Sequence, residues 1–168
     1  MGHRYLIALG SNRRHHRHGR PEQVLRAAMA ALELRKIKVK GASPIIASTP
    51  LGPSLRRYAN GAAVVKTRLE PDELLDILKD IEAEFGRRSA GRRWSTRVLD
   101  LDIVLWSGGA FGSARLTVPH PAFRERDFVL APALAIAADW RDPISGLSLR
   151  QLRARLTKRL TQPRPLPR

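Results

Sequence analysis

The chain has 168 residues, 43% of them hydrophobic, with no cysteine and with 31 Lys and Arg against 15 Asp and Glu, a formal charge of +16. That length and apolar share suit one folded domain, and the lack of cysteine excludes disulfides, thiolate catalysis and zinc-thiolate centres. The charge attracts anions such as nucleotides, nucleic acid or acidic lipid, but 5% aromatic residues is low for a protein that stacks on single strands.

Arg4–Leu9 reads as a short buried strand, entered at once from the N-terminus with no leader-like pattern, closed by Gly10-Ser11-Asn12. Arg13–Arg20, with His15, His16 and His18 among arginines, has no apolar period and is expected as a solvated basic loop. Pro21 suits a first helical position, and Val24, Leu25, Ala28, Met29 and Leu32 recur at helical spacing through Leu34. Ile37 and Val39 alternate with lysines, which predicts a strand continuing toward Ile46. Ser48 to Pro53 is turn chemistry in a loop reaching Arg57, and Tyr58–Thr67 is the next strand. Pro71-Asp72-Glu73 opens an amphipathic helix with a stripe of Leu74, Leu75, Ile77, Leu78, Ile81 and Phe85, and Gly86 ends it.

An arginine-rich loop, Gly86–Arg97, leads into the strand Val98–Trp106. Gly108-Gly109 turns the chain toward a return strand at Arg115–Val118, Ala122–Ile136 is partly helical, and Ser148 caps a last helix carrying Leu149, Leu152 and Leu156. Residues 1–160 thus form a single domain, with 161–168 a disordered tail. The order strand, helix, strand, strand, helix, strand predicts an α+β fold of ferredoxin-like type, an antiparallel sheet with its helices packed mainly on one face. No apolar run approaches the roughly 20 residues that span a bilayer, and a cytoplasmic location is expected.

Val98–Leu105 carries the chemistry. Period-two alternation puts Leu99, Leu101, Ile103 and Leu105 on one face and Asp100 and Asp102 together on the other. Adjacent carboxylates repel unless a cation lies between them, and Mg²⁺ takes one or two carboxylates plus phosphate oxygens. A solvent-facing pair on an edge strand, a nuclease and a glycosyltransferase share this spacing. The arginines before the strand, with Arg115 and Arg126 after it, favour phosphoryl transfer, because guanidinium groups clamp phosphate and neutralise its charge. There is no P-loop and no protein-kinase motif set.

Leu9-Gly10-Ser11-Asn12, Tyr58-Ala59-Asn60, the run Arg93-Trp94-Ser95-Thr96-Arg97-Val98-Leu99-Asp100-Leu101-Asp102, and Leu116-Thr117-Val118-Pro119-His120 occur in that order. Together they resemble the 6-hydroxymethyl-7,8-dihydropterin pyrophosphokinases of folate biosynthesis, over about Tyr5 to Ile136. The resemblance implies transfer of pyrophosphate from ATP to the pterin hydroxymethyl oxygen, releasing AMP. It makes Asp100 and Asp102 ligands for two Mg²⁺ ions, and Arg87 and Arg97 catalytic cations. It places ATP against Glu82, Arg87, Trp94, Arg97, Ile103, Arg115, Thr117, His120 and Arg126. Tyr58 and Phe128 become the aromatic pair around the pterin ring, Asn60 its amide partner, with Thr49, Pro50, Leu51 and Trp94 on the same side.

Three departures from the family stand out: the basic stretch Arg13–Arg20, Arg56-Arg57 in a shortened loop, and Lys79 in place of a neutral amide. The partners expected are small molecules acting on a monomer, with no membrane and no specific nucleic acid. A basic nucleic-acid-binding module and a metal-dependent nuclease are the rival readings.

Overall fold

The structure, a computed structural model, describes residues 2–48, 58–86 and 98–161. Its sheet is built on β1 (His3–Ser11), which pairs antiparallel with β4 (Tyr58–Thr67) on one side and with β5 (Asp100–Trp106) on the other. Two short strands, β2 (Lys38–Ala42) and β3 (Ile46–Ser48), share the far side of β4, so the order is β2-β4-β1-β5 with β3 beside β4. This is the split β-α-β arrangement expected from the element order.

The strand expected to run from Ile37 toward Ile46 is interrupted between β2 and β3. Pro44 has no N–H to give the ladder, and Ser43 makes up the pairing through its side chain: Ala62 N donates to Ser43 Oγ at 2.9 Å while Ser43 N donates to the Ala62 carbonyl. Helices α1 (Pro21–Leu34) and α2 (Pro71–Gly86) lie on one face. Their buried stripes, Val24, Leu25, Ala28 and Leu32 with Leu74, Leu78, Ile81 and Phe85, meet Tyr5, Ile7, Leu9, Ala63, Val65, Leu101 and Ile103.

The opposite face is covered at one end by α3 (Asp127–Ala137) and α4 (Leu149–Thr161), whose Leu130, Ala133, Leu152 and Leu156 bury Leu6, Ala62, Val104 and Leu105. Leu105 therefore does not share a face with Leu101 and Ile103, as strict alternation predicted. A bulge is the reason: Leu6 pairs with Leu105 and Ile7 with Ile103, leaving Val104 as the extra residue. One inserted residue moves every later side chain to the other face.

A short hairpin follows β5, with β6 (Phe111–Gly112) against β7 (Thr117–Val118); the return strand is shorter than predicted because Ser113 turns the chain, its N–H donating to the Leu116 carbonyl. A 3-10 turn at Phe123–Glu125 then leads into α3. Ser148 caps α4 as expected: its hydroxyl accepts from Gln151 N at 3.2 Å, and Gln151 Oε1 accepts from Ser148 N at 2.9 Å.

The segment before α4 is fastened to the turn before α3 by Asp142. Its fully buried carboxylate accepts from Arg124 Nε (2.7 Å) and a terminal Arg124 nitrogen (2.8 Å), from Ser145 Oγ (2.6 Å) and from Ile144 N (3.0 Å). Burial pushes this carboxyl up, but hydrogen bonds from Arg124, Ser145 and the Ile144 amide outweigh it and hold the pKa at about 2. Among the described residues no helix is long and apolar enough to cross a membrane.

Candidate active site

The face of the sheet left uncovered by α3 and α4 holds the predicted carboxylates. Asp100 and Asp102 are half-buried and alternate with buried Leu101 and Ile103, so both lie opposite α1 and α2. Registers on the two sides of β1 place their neighbours. Gly10 pairs with Asn60 on one side and with Asp100 on the other; Ala8 pairs with Ala62 and Asp102. Asn60 and Asp100 thus stand two strand spacings apart, about 10 Å, with a glycine between them. A Cβ on Gly10 would lie 3.6 Å from Asn60 Oδ1, so the small residues form a floor between an amide wall and a carboxylate wall.

Tyr58 begins β4 two residues before Asn60, on the same face, and is 36% exposed. Phe128 comes from α3 and packs, partly buried, against the cluster that covers this face. The predicted aromatic pair therefore approaches from two elements distant in sequence. Pro132 inside α3 has no N–H for the Phe128 carbonyl, so the helix is less regular at the turn that carries the ring.

His120 follows the cis Val118–Pro119 bond, and its N–H donates to the Val104 carbonyl at 3.0 Å, which docks it on the free edge of β5. Its Nδ1 accepts from Ala122 N at 3.1 Å, so the neutral ring carries its proton on Nε2 as a donor. Burial lowers the His120 pKa; the negative charge of Asp102 opposes that shift and the positive charge of Arg126 adds to it. Asp102, His120 and Arg126 are thus close enough to feel one another, and Arg126 also lies 5.7 Å from the Phe128 ring centre.

The other predicted ATP residues gather at the edge formed by α2, β5 and the β6–β7 hairpin. Glu82, 12% exposed, accepts from Leu101 N at 2.8 Å through one oxygen and pairs with Lys79 Nζ at 2.9 Å through the other. One oxygen therefore holds the strand between the two aspartates, and the other is paired within α2. Ile103 is 2% exposed and packed in the core on the α1–α2 side. Arg115 and Thr117 are exposed on the hairpin. Thr49, Pro50, Leu51, Arg87, Trp94 and Arg97 lie outside the described residues, as does most of the two loops that contain them.

A family model described as 7,8-dihydro-6-hydroxymethylpterin-pyrophosphokinase matches residues 6–138. The chain belongs to this family. It is 41% identical over 145 residues to the 2-amino-4-hydroxy-6-hydroxymethyldihydropteridine pyrophosphokinase of Pseudomonas aeruginosa, covering 85% of this chain and 86% of that one. The enzyme of the same name from Synechocystis is 41% identical over 129 residues, 76% of this chain, and the matched chain spans 66% of that relative. Among solved structures, a Plasmodium falciparum HPPK-DHPS with pteroate superimposes with a TM-score of 0.70 at 12% identity, over 95% of this chain and 43% of that one. At that identity the likeness speaks for the fold, and this chain spans less than half of the solved one. Pyrophosphoryl transfer in folate biosynthesis is the function the family supports; neither a nucleic-acid module nor a nuclease is supported.

Two features of the structure near the end of β1 were not read from the sequence. Asn12 follows β1 directly and is 9% exposed, and its Oδ1 has no hydrogen-bond partner among the described residues. Its place in Gly10-Ser11-Asn12 was the available signal. The basic stretch Arg13–Arg20, expected as a solvated loop, keeps Arg13, Arg14, His16, Arg17 and Arg20 exposed but turns on a buried His15. Arg17 N and His18 N both donate to His15 Nδ1 at 3.1 Å, and the His15 and His18 rings lie 5.7 and 4.8 Å from that of Phe85 at the end of α2. Two ring contacts with Phe85 were hidden in a run whose arginines dominate any reading by charge.

A cleft of about 590 Å³ lies behind the hairpin, lined by Phe111, Thr117, Pro119, Pro121, Arg124 and Ile144 among others. Of the predicted site residues it includes only Thr117, and Arg124 is already bound to Asp142. Asn60, Asp100 and Asp102 stand on the sheet face instead.

Proposed function

We propose that this single-domain enzyme transfers the terminal pyrophosphate of ATP to the hydroxymethyl oxygen of 6-hydroxymethyl-7,8-dihydropterin, on the floor made by Gly10 and Ala8. The observation that carries this reading is the register that sets Asn60, Gly10 and Asp100 in one row, with Asp102 in the next. A flat, hydrogen-bonding ring fits between the Asn60 side and Phe128. A polyphosphate fits beside Asp100, Asp102, His120 and Arg126.

Asp100 and Asp102 suit Mg²⁺ as a donor set. They are half-buried oxygen ligands on one strand, and among the described residues no cluster of three or more His, Cys, Asp or Glu forms a closed metal site. Two ions held there would supply charge neutralisation of the polyphosphate and leave open positions for its oxygens. The residues of the chain do the rest by placement. Asn60 and the aromatic pair Tyr58 and Phe128 hold the ring, and His120 Nε2–H and Arg126 donate to phosphate oxygens.

The hydroxyl oxygen forms a bond to the β-phosphorus, the bond from that phosphorus to the bridging oxygen of the α-phosphate breaks, and AMP leaves. The hydroxyl proton passes to water. The roles of Arg87 and Arg97 as cations on the departing charge, and of Trp94, Thr49, Pro50 and Leu51 around the substrates, rest on the family resemblance. We place the enzyme in the cytoplasm as a monomer.

The test is incubation with Mg-ATP and the hydroxymethyl dihydropterin, with nucleotides and pterins separated afterwards. AMP and pterin pyrophosphate should form in equal amounts, and Asp100→Asn and Asp102→Asn should each lower turnover by about 10²-fold or more. Formation of ADP, or turnover unchanged in both variants, overturns the reading.

A further inference from the structure

The β6–β7 hairpin is tied across the nucleotide edge to α2 by a small polar network. Ser113 Oγ donates to Asp72 Oδ1 at 2.9 Å and accepts from Arg115 N at 3.2 Å and Leu116 N at 3.1 Å. Arg115 then reaches to the same helix: one terminal nitrogen donates to Asp76 Oδ1 at 2.7 Å and the other to the Asp72 carbonyl at 3.4 Å. Asp72 and Asp76 are four residues apart and so lie on one face of α2. Lys79 and Glu82 continue that face toward Leu101, and they too are paired with each other.

An arginine in the turn of a short hairpin has a long, mobile side chain, and nothing in the hairpin itself fixes where its guanidinium goes. Here Asp76 fixes it. The hydrogen bond from Arg115 is the largest cause lowering the Asp76 pKa, and the same bond raises that of Arg115. The pair is solvated, with side chains 54% and 59% exposed, so it adds little to fold stability. Its consequence is positional: the guanidinium is held against α2 at Asp76 and the Asp72 carbonyl before any ligand arrives.

We propose that Asp76, supported by Asp72, is a positioning residue for the nucleotide, acting through Arg115. The inference rests on the reading of Arg115 as an ATP contact. A side chain already ordered loses less freedom on binding. Removal of Asp76 therefore weakens ATP binding and leaves the chemical step alone.

The experiment measures kcat and the two KM values for Arg115→Ala, Asp76→Ala, Asp76→Glu and the double variant Arg115→Ala with Asp76→Ala, with thermal melting as a folding control. Asp76→Ala should raise the KM for ATP about two- to tenfold, with kcat and the pterin KM within about twofold of wild type. Asp76→Glu should restore the ATP KM. Adding Asp76→Ala to Arg115→Ala should change nothing further. At about 1 M salt, where screening acts over roughly 3 Å, the effect of Asp76→Ala should shrink toward none.

An ATP KM that rises in Arg115→Ala but stays unchanged or falls in Asp76→Ala overturns the positioning role and leaves Arg115 as a contact. An unchanged ATP KM in Arg115→Ala overturns the nucleotide reading of Arg115 and this inference together. A fall in kcat alone for Asp76→Ala also overturns it.

Discussion

Gly10 separates the effect of the site from the effect of the fold. It sits near the end of β1, with Asn60 across one ladder and Asp100 across the other. A Cβ built there meets, among the described residues, only Asn60 Oδ1, at 3.6 Å, which is ordinary contact. Gly10→Ala should therefore fold without strain, and replacing a strand glycine restricts the unfolded chain enough to stabilise by about 0.4–1 kcal/mol. On the function proposed above, the added methyl stands on the floor where the substrate ring and phosphates converge. Displacing a reactant by about 1 Å costs on the order of 10²-fold in rate.

Gly10→Ala should thus keep or raise the melting temperature and lower kcat/KM by about tenfold or more, and Gly10→Val, with two further carbons, by on the order of 10²-fold. Steady-state AMP release gives the rates and differential scanning calorimetry the stability. A Gly10→Val enzyme that melts normally and keeps its kcat/KM would place the substrates elsewhere and refute the floor.

Two other perturbations follow from buried groups. Asp142 has its pKa held at about 2 against an ordinary 3.8. A carboxyl depressed in the folded state contributes stability above its unfolded pKa, and here the difference is worth about 2 kcal/mol. Asp142→Asn should lower the melting temperature by about 4–8 °C at neutral pH, and the gap to wild type should close as pH falls from about 4 to about 2; a gap as wide at pH ~2.5 as at neutrality contradicts this. His15 has its pKa lowered, first by burial and then by His16, His18 and Arg17, while a backbone hydrogen bond at Phe85 opposes the shift. A base depressed in the folded state favours folding above its unfolded pKa, so the turn should loosen as pH falls below about 6.5. Amide exchange at Arg17 and His18 should quicken there, and His15→Asn, which keeps an acceptor but does not titrate, should reduce that pH dependence to the part left by His18, whose pKa burial also lowers; equal pH dependence in the variant counts against His15 as a cause.

The sequence made legible what local periodicity encodes. Alternation in Val98–Leu105 placed Asp100 and Asp102 together, and the spacing of Tyr58 and Asn60 gave them a common face, because strand side chains repeat every two residues. It could not show the pairing register, which sets Gly10 between Asn60 and Asp100 and turns three separate motifs into one floor. Nor could it show the bulge at Val104, where a tertiary requirement overrides the period. The histidines at 15 and 18 were misread for a related reason: their partner, Phe85, lies about 70 residues away, and composition carries no information about such contacts. The six site residues in the two undescribed segments remain assignments of the resemblance alone.

The bulge at Val104 also explains how one edge strand can serve both a reactive face and a core. Before it, the side chains opposite α1 and α2 are Asp100 and Asp102, too polar to anchor a helix. Unbroken alternation would leave Val104 as the one apolar anchor on that face before Trp106. With the extra residue, both Val104 and Leu105 join the cluster that seats α3 and α4, and Trp106 returns to the α1–α2 side. Helix α3 carries Phe128, so its attachment directly beyond the carboxylates fixes how far the ring stands from Asp102. The same Val104 accepts the backbone hydrogen bond from His120 through its carbonyl, on the open edge of the strand. A single local irregularity thus bears on the placement of Phe128 and of His120 relative to Asp102. Deleting Val104 would restore regular pairing with Leu105 still facing α3, but would remove one of the two apolar residues of β5 that seat α3 and α4, which makes the bulge a feature of that packing and not a defect of the sheet.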